Sequence, residues 1–219
     1  MYGPFKWVTF DCYGTLVDWE EGILKALSPY LKDISPAEVL RLYARFESEA
    51  EKTWRPYREV LKMVARKLFA HFGLKPREEV FLESLPHWRP FPEVNQALKL
   101  IKEKGLKTAI ISNIDQDLLA QTLRHFTVSF DLLVTAEEAR AYKPHPEIFA
   151  LAKRKLKCAP QEVLHVGQSL FHDVVPARRE GWVTCWVRRP GRDPFGATPQ
   201  AAGKPHFSVS NLLELVDFL

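Results

Sequence analysis

Several classes of protein are excluded by what this 219-residue chain lacks. It holds only three cysteines, Cys12, Cys158 and Cys185, far apart and odd in number. Neither a disulfide framework nor a metal-spaced pair follows from them, and reduced thiols are the expectation. No apolar run approaches the roughly 18 residues that cross a bilayer. The opening MYGPFKWVTF lacks the charged, apolar, small-residue order of a secretion signal, so the cytoplasm is the expected location and no membrane partner is expected. Charge of neither sign dominates: Lys and Arg number 31, Asp and Glu 27, for a net +4. The one basic cluster, KRKLK at 153–157, suits a helix C-terminus, where cations complement the helix dipole. Nucleic acid is therefore not an expected partner. Internal repeats and low-complexity stretches are also missing.

The composition that remains, 46% hydrophobic and 26% charged, is that of an ordinary globular protein. Four short apolar stretches do not alternate, which marks strands buried on both faces. They are WVTFDC (7–12), KTAIIS (107–112), EVLHVG (162–167) and VTCWVR (183–188); FDLLVT (130–135) is a weaker fifth. Helical patterns lie between them. EVNQALKLIKEKG (93–105) ends in lysines and a glycine, and HPEIFALAKRKLK (145–157) tolerates Pro146 in its first turn. This alternation predicts an α/β fold: a doubly wound, mostly parallel sheet with a Rossmann-like core. The stretch from 19 to 88 carries no strand-like run and reads as helices, then closes in the proline-rich ESLPHWRPFPEV. The expected organisation is a catalytic core of residues 1–18 and 89–219, with a helical cap, 19–88, inserted after the first strand.

Open α/β sheets bind ligands beyond the carboxyl ends of their strands. The residues there are Asp11 to Thr15, Ser112 and Asn113, Lys143, then Gln168, Ser169 and Asp173. Taken singly, each has an ordinary reading: a strand-end Asp or a Ser-Asn pair caps a helix, and a lysine before a proline sits on the surface. Their joint occurrence, each at a strand end, points instead to a carboxylate nucleophile held by a lysine, with hydroxyl and amide donors for an anionic oxygen.

DCYGTLVD (11–18), ISN (111–113), YKPHPEIF (142–149) and VGQSLFHDVVPARREGW (166–182) together resemble the four motifs of the haloacid dehalogenase superfamily. The resemblance covers essentially the whole core. It implies that Asp11 is the nucleophile, that Thr15 and Ser112 position substrate or phosphate, that Lys143 is the motif lysine and that Asp173 is the fourth-motif acid.

Most members of that superfamily are magnesium-dependent phosphatases, which carry an acid two residues after the nucleophile to protonate the leaving oxygen. Here that position is Tyr13, a phenol with an ordinary pKa of about 10. A second family acid is replaced by Gln168, which removes a charge that magnesium would use. Asp-x-Tyr-Gly-Thr is similar to the first motif of the L-2-haloacid dehalogenases. That likeness implies attack by Asp11 on C2 of a 2-haloalkanoic acid, an ester intermediate, hydrolysis aided by Asp173 and Lys143, and a 2-hydroxy acid product. The implied substrate-binding set is Tyr13, Thr15, Arg45, Ser112, Asn113 and Ser169. The implied partner is a small carboxylic-acid substrate, with no metal and no cofactor.

The chain departs from those dehalogenases in GQSLFHD and in Phe149, which stands where they carry a tyrosine. Their halide is received by an arginine of the cap; Arg41, Arg45 and Arg58 are candidates, with Arg45 preferred. His172 reads as a loop histidine paired with its neighbour, and Cys12 as a small buried filler. Trp54, Tyr57 and Trp88 are compatible with a homodimer surface or with core. Two alternatives stand beside dehalogenation: a phosphatase of the same superfamily using magnesium, and a catalytically silent member that binds a small acid.

Overall fold

A computed structural model describes residues 4–31, 34–192 and 201–219. Each of the expected segments 1–18, 19–88 and 89–219 includes a few residues outside this set.

Six strands form one sheet: β1 (Trp7–Phe10), β2 (Lys107–Ser112), β3 (Leu132–Thr135), β4 (Val163–Gly167), β5 (Val183–Val187) and β6 (Phe207–Val209). Their order is β3-β2-β1-β4-β5-β6, and every neighbouring pair is parallel. β1 and β4 are buried along their whole length, as expected of non-alternating runs covered by helices on both faces. Val8, Phe10, Ile110 and Val166 are all fully inaccessible to solvent. The sheet ends in β6, a three-residue strand too short to carry a period of its own.

The helices are α1 (Trp19–Leu27), α2 (Pro36–Glu51), α3 (Tyr57–His71), α4 (Val80–Ser84), α5 (Val94–Glu103), α6 (Gln116–Leu123), α7 (Ala136–Ala139), α8 (Pro146–Leu156), α9 (Val175–Arg179) and α10 (Leu212–Val216). α1 to α4 are inserted between β1 and β2. Within the insertion α2 lies against α3, burying Leu42 and Phe46 of one with Val60, Leu61, Val64 and Leu68 of the other. Each such aliphatic side chain taken out of water contributes roughly 1.5–3 kcal/mol. Tyr57 and Trp88 are buried here, so they belong to the interior rather than to an exposed aromatic surface.

The strand order reverses at β1, which has β2 on one side and β4 on the other. Chain segments leaving β1, β2 and β4 therefore meet over one crevice. Among the described residues no helix is long and apolar enough to cross a membrane.

Candidate active site

β1 delivers Asp11 to the crevice, where its backbone N–H still donates to Val166 O at 3.0 Å. The chain then turns sharply. Gly14 has φ +98°, a conformation that side-chain-bearing residues rarely adopt. The turn returns Thr15 to Asp11, and the Thr15 hydroxyl donates to Asp11 Oδ2 at 2.7 Å. Thr15 Oγ1 in turn accepts the Gln168 N–H at 2.9 Å, which ties the first turn to the loop after β4. Arg189, 7% exposed, donates to the Thr15 carbonyl and pairs with Glu93, holding the same turn from behind.

Lys143 reaches the crevice from the loop before α8 and is 2% exposed. Its ammonium donates to Asp11 Oδ1 at 2.8 Å, to Asp173 Oδ1 at 2.7 Å and to the Ile111 carbonyl at 3.0 Å. Asn113, just past β2, clasps the lysine's backbone from both sides: Oδ1 accepts the Lys143 N–H at 2.6 Å and Nδ2 donates to the Lys143 carbonyl at 3.3 Å. Asp173 sits in a helical turn opened by Ser169, whose Oγ accepts the His172 N–H at 3.0 Å. The approach is close enough that a Cβ on Gly167 would lie 2.4 Å from Asp173 Cβ, so that glycine is required by space.

Behind Asp173 stands His165, which the strand pattern hid as one residue of a buried run. It is fully buried, with Nδ1 2.8 Å from Thr9 Oγ1 and Nε2 3.4 Å from Asp173 Oδ1. Thr9, His165, Asp173, Lys143 and Asp11 thus form one continuous polar chain through the sheet's end.

Electrostatics separate the two carboxyls. Burial raises the Asp11 carboxyl, with Lys143 and Thr15 pulling it back and the Asp173 charge adding to the rise. For Asp173 burial also works upward, but Lys143 and His165 outweigh it and hold the carboxyl down at about 2. Burial opposes the Lys143 ammonium, yet the two carboxylates more than offset that and keep it charged. His172 is lowered to about 4 by burial and is neutral at pH 7. Burial pushes the Cys12 thiol far up, which leaves it inert as a nucleophile.

These groups face a cavity of about 90 Å³. Asp11, Tyr13, Ser112, Asn113, Lys143, Ser169 and Asp173 all line it, so the sequence-predicted set converges, with Thr15 one bond behind. Two buried oxygens of this set have no hydrogen-bond partner among the described residues, Ser112 Oγ and Asp173 Oδ2. Tyr13 lines the cavity with its ring edge-on to Trp88, while its hydroxyl shares a 2.7 Å hydrogen bond with Thr122 of α6. Burial pushes that phenol well above its usual range.

Arg45 is not among them. It lies exposed on α2 and pairs with Glu49 at 3.1 Å. The reason is helical phase: Arg45 and Glu47 are two residues apart, about 200° around the helix, and Glu47 is the one that faces the cavity. Arg41 is exposed on the same helix, and Arg58 pairs with Asp115 and Asp117. Among the described residues no arginine lines the cavity; the inserted helices present Trp19, Tyr43, Glu47, Glu51 and Tyr57 instead. Sequence reasoning missed this wall, although Tyr43, Glu47 and Glu51 recur every four residues and so share one face of α2.

The insertion is fastened to the core at the start of α3. That helix has no side-chain cap of its own. Asp115, 2% exposed and two residues beyond Asn113, accepts the N–H of Tyr57 at 2.7 Å on Oδ1 and that of Arg58 at 2.9 Å on Oδ2. The Tyr142 hydroxyl donates to the Arg55 carbonyl at 2.7 Å alongside. Both clamps come from loops that carry Ser112 and Lys143.

Among the described residues no group of three or more His, Cys, Asp or Glu is arranged to hold a metal. The two carboxylates that face each other meet on Lys143 Nζ, and the family's third acid is the neutral Gln168. Phe149 is buried and packs edge-on against His165 and Trp182, with ring centroids 5.8 and 5.9 Å apart, so it serves the core.

A family model for haloacid dehalogenase-like hydrolases matches residues 5–181. The chain is 27% identical to (S)-2-haloacid dehalogenase H-109 of Pseudomonas putida, over 99% of this chain and 98% of that one. It is 32% identical to a glyceraldehyde 3-phosphate phosphatase of Methanopyrus kandleri, over 59% of this chain and 56% of that one. Among solved structures it is similar to the L-2-haloacid dehalogenase of Xanthobacter autotrophicus with chloropropionic acid covalently bound, with a TM-score of 0.84, 24% identity and 98% of both chains covered.

Proposed function

The chain belongs to the haloacid dehalogenase-like hydrolases, and within that family we propose that it hydrolyses 2-haloalkanoic acids to 2-hydroxy acids, with residues 19–88 acting as a cap over a core of 1–18 and 89–219. The observation that carries this reading is Tyr13. A phosphatase needs an acid at that position for its leaving oxygen; here the position holds a phenol that is bonded to Thr122 and driven upward by burial. A halide leaves without a proton, so the site can dispense with that acid.

In this reading the substrate carboxylate takes the free Ser112 hydroxyl and neighbouring backbone N–H groups, and Asn113 and Ser169 border it. Thr15 and Lys143 orient the two oxygens of Asp11. One of them attacks C2, the carbon–halogen electron pair departs with the halide, and C2 inverts. Water then adds to the Asp11 carbonyl carbon, and the C2–oxygen bond stays with the product as its hydroxyl. Asp173 Oδ2, which has no hydrogen-bond partner among the described residues, is the acceptor for that water's hydrogen, while Lys143 stabilises the negative charge on the ester carbonyl. One proton and one halide are released per turnover.

The test is halide release from (S)-2-chloropropionate in EDTA. Release that is lost in Asp11→Ala is the expected result. Turnover of p-nitrophenyl phosphate that depends on magnesium, without halide release, would overturn the reading in favour of the phosphatase. Inertness in both assays favours a silent acid-binding protein.

A further inference from the structure

The wall opposite the nucleophile has the wrong sign for a site that handles only anions. Glu47 and Glu51, one turn apart on α2, both line the cavity. Glu47 is held in place: Tyr57 and Tyr43 donate their hydroxyls to Oε1 at 2.5 and 3.2 Å, which leaves Oε2 outside that hydrogen-bond pair. Glu51 has neither a hydrogen bond nor an ion pair from its carboxyl to any described residue. Lys143 is the one charged cation lining the cavity among the described residues, and it is committed to Asp11 and Asp173. The rings of Trp19, Tyr43 and Tyr57 line the same cavity, Trp19 and Tyr43 lying 5.5 Å apart.

Two carboxyls with no cation in contact among the described residues, in a cavity also lined by aromatic rings, form surroundings that recognise an organic cation: the carboxylates supply charge and the rings supply cation–π attraction. A second observation says that the same cavity awaits a ligand. Ser112 is 1% exposed and borders the cavity, and its Oγ has no hydrogen-bond partner among the described residues. The cavity thus offers an anion's hydroxyl donor at the core and a cation's acceptors at the cap.

We propose that Glu47 and Glu51 form a subsite for a small alkylammonium group, so that the preferred substrate is a short 2-halo acid bearing an ammonium at its far end. The inference rests on the dehalogenase reading for the reacting end alone; the ammonium subsite stands on the cap wall. Burial raises both acids, with Glu47 adding to the rise of Glu51. The tyrosine hydroxyls pull Glu47 part of the way back and the Lys143 charge does the same for Glu51; an ammonium bound between the two would do so at contact distance.

The experiment compares two isosteric substrates, (S)-3-amino-2-chloropropanoate and (S)-2-chlorobutanoate, which differ by an ammonium in place of a methyl. Wild-type kcat/KM should favour the ammonium substrate by about tenfold or more, and the ratio should fall to about one in Glu47→Gln/Glu51→Gln. Both numbers come from one preparation, so the ratio does not depend on how much of the variant is folded. Isothermal titration of ethylammonium runs in parallel, with binding expected in the wild type and lost in the double variant. If neither halo acid is turned over but ethylammonium binds in that pattern, the dehalogenase reading fails and the subsite stands. The subsite is overturned by halide release without preference for the ammonium substrate, by a preference that survives in the double variant, or by absence of ethylammonium binding when neither substrate reacts.

Discussion

Replacing Lys143 by methionine removes one charge from the middle of the buried polar chain and keeps most of the side-chain volume. In the native protein the ammonium neutralises two carboxylates at 2.8 and 2.7 Å and satisfies the Ile111 carbonyl at 3.0 Å. Its side chain is 2% exposed, and those of Asp11 and Asp173 are 12% and 1% exposed, so water cannot replace it without opening the site. Breaking a buried pair from one side costs about 3–5 kcal/mol, because the remaining charge is stranded. For a chain of this size each kcal/mol moves Tm by roughly 2–4 °C, which makes the expected fall about 6–20 °C. The assay is thermal unfolding at pH 7.5, with Asp173→Asn and the double variant completing a cycle. Asp173→Asn should be less damaging in the Lys143→Met background than in the wild type, since each removes the other's stranded charge. Halide release should fall in parallel by on the order of 10²–10³ as Asp11 takes up a proton and the ester loses its electrostatic support. A cost below about 1 kcal/mol for Lys143→Met, or an unchanged effect of Asp173→Asn in the two backgrounds, would refute the assignment of Lys143 as the shared counter-charge.

Three further outcomes follow from the same geometry. Asp173 is held at about 2 in the fold against an ordinary 3.8, so its ion pair contributes stability that is complete above about pH 4 and lost as pH falls toward 2; the contribution is about 2 kcal/mol, and urea unfolding of Asp173→Asn should show a flatter acid limb between those values. Gly167→Ala drives a methyl into Asp173, whose Cβ, Cγ and Oδ2 lie 2.4, 2.6 and 2.8 Å from it; a loss of about 1–3 kcal/mol with a disproportionate fall in kcat is expected, and near-normal kcat would mean that Asp173 is free to move. Asp115→Ala leaves the Tyr57 and Arg58 N–H groups without their acceptor; about 1–2 kcal/mol of stability should go, and KM should rise more than kcat falls, whereas an unaltered KM would separate the clamp from substrate binding.

The core was legible because buried parallel strands announce themselves: 107–112 is β2 without correction, and 7–12, 162–167 and 183–188 exceed β1, β4 and β5 only at their ends. The strand ends then named the residues on the crevice, since topology alone brings Asp11, Ser112, Lys143 and Asp173 together. The α2 wall of the cavity was illegible for an equally physical reason. α2 carries Arg41 and Arg45 at one four-residue spacing and Tyr43, Glu47 and Glu51 at another, and periodicity reports that two stripes exist without saying which one faces inward. His165 was hidden inside an apolar run, where only its contact with Asp173 distinguishes it from a filler. β6 escaped because three residues cannot display a pattern.

The carboxylate that caps α3 has a consequence for the redesign of this chain. A transplant cut at 18 and 89 would carry the helix away and leave Asp115 behind, on the loop that also bears Ser112 and Asn113. A replacement segment would keep this anchor only by bringing a helix N-terminus, with its free backbone N–H groups, to the same carboxylate. The inner face of α2, which carries Tyr43, Glu47 and Glu51 to the cavity, can be varied residue by residue without touching that anchor.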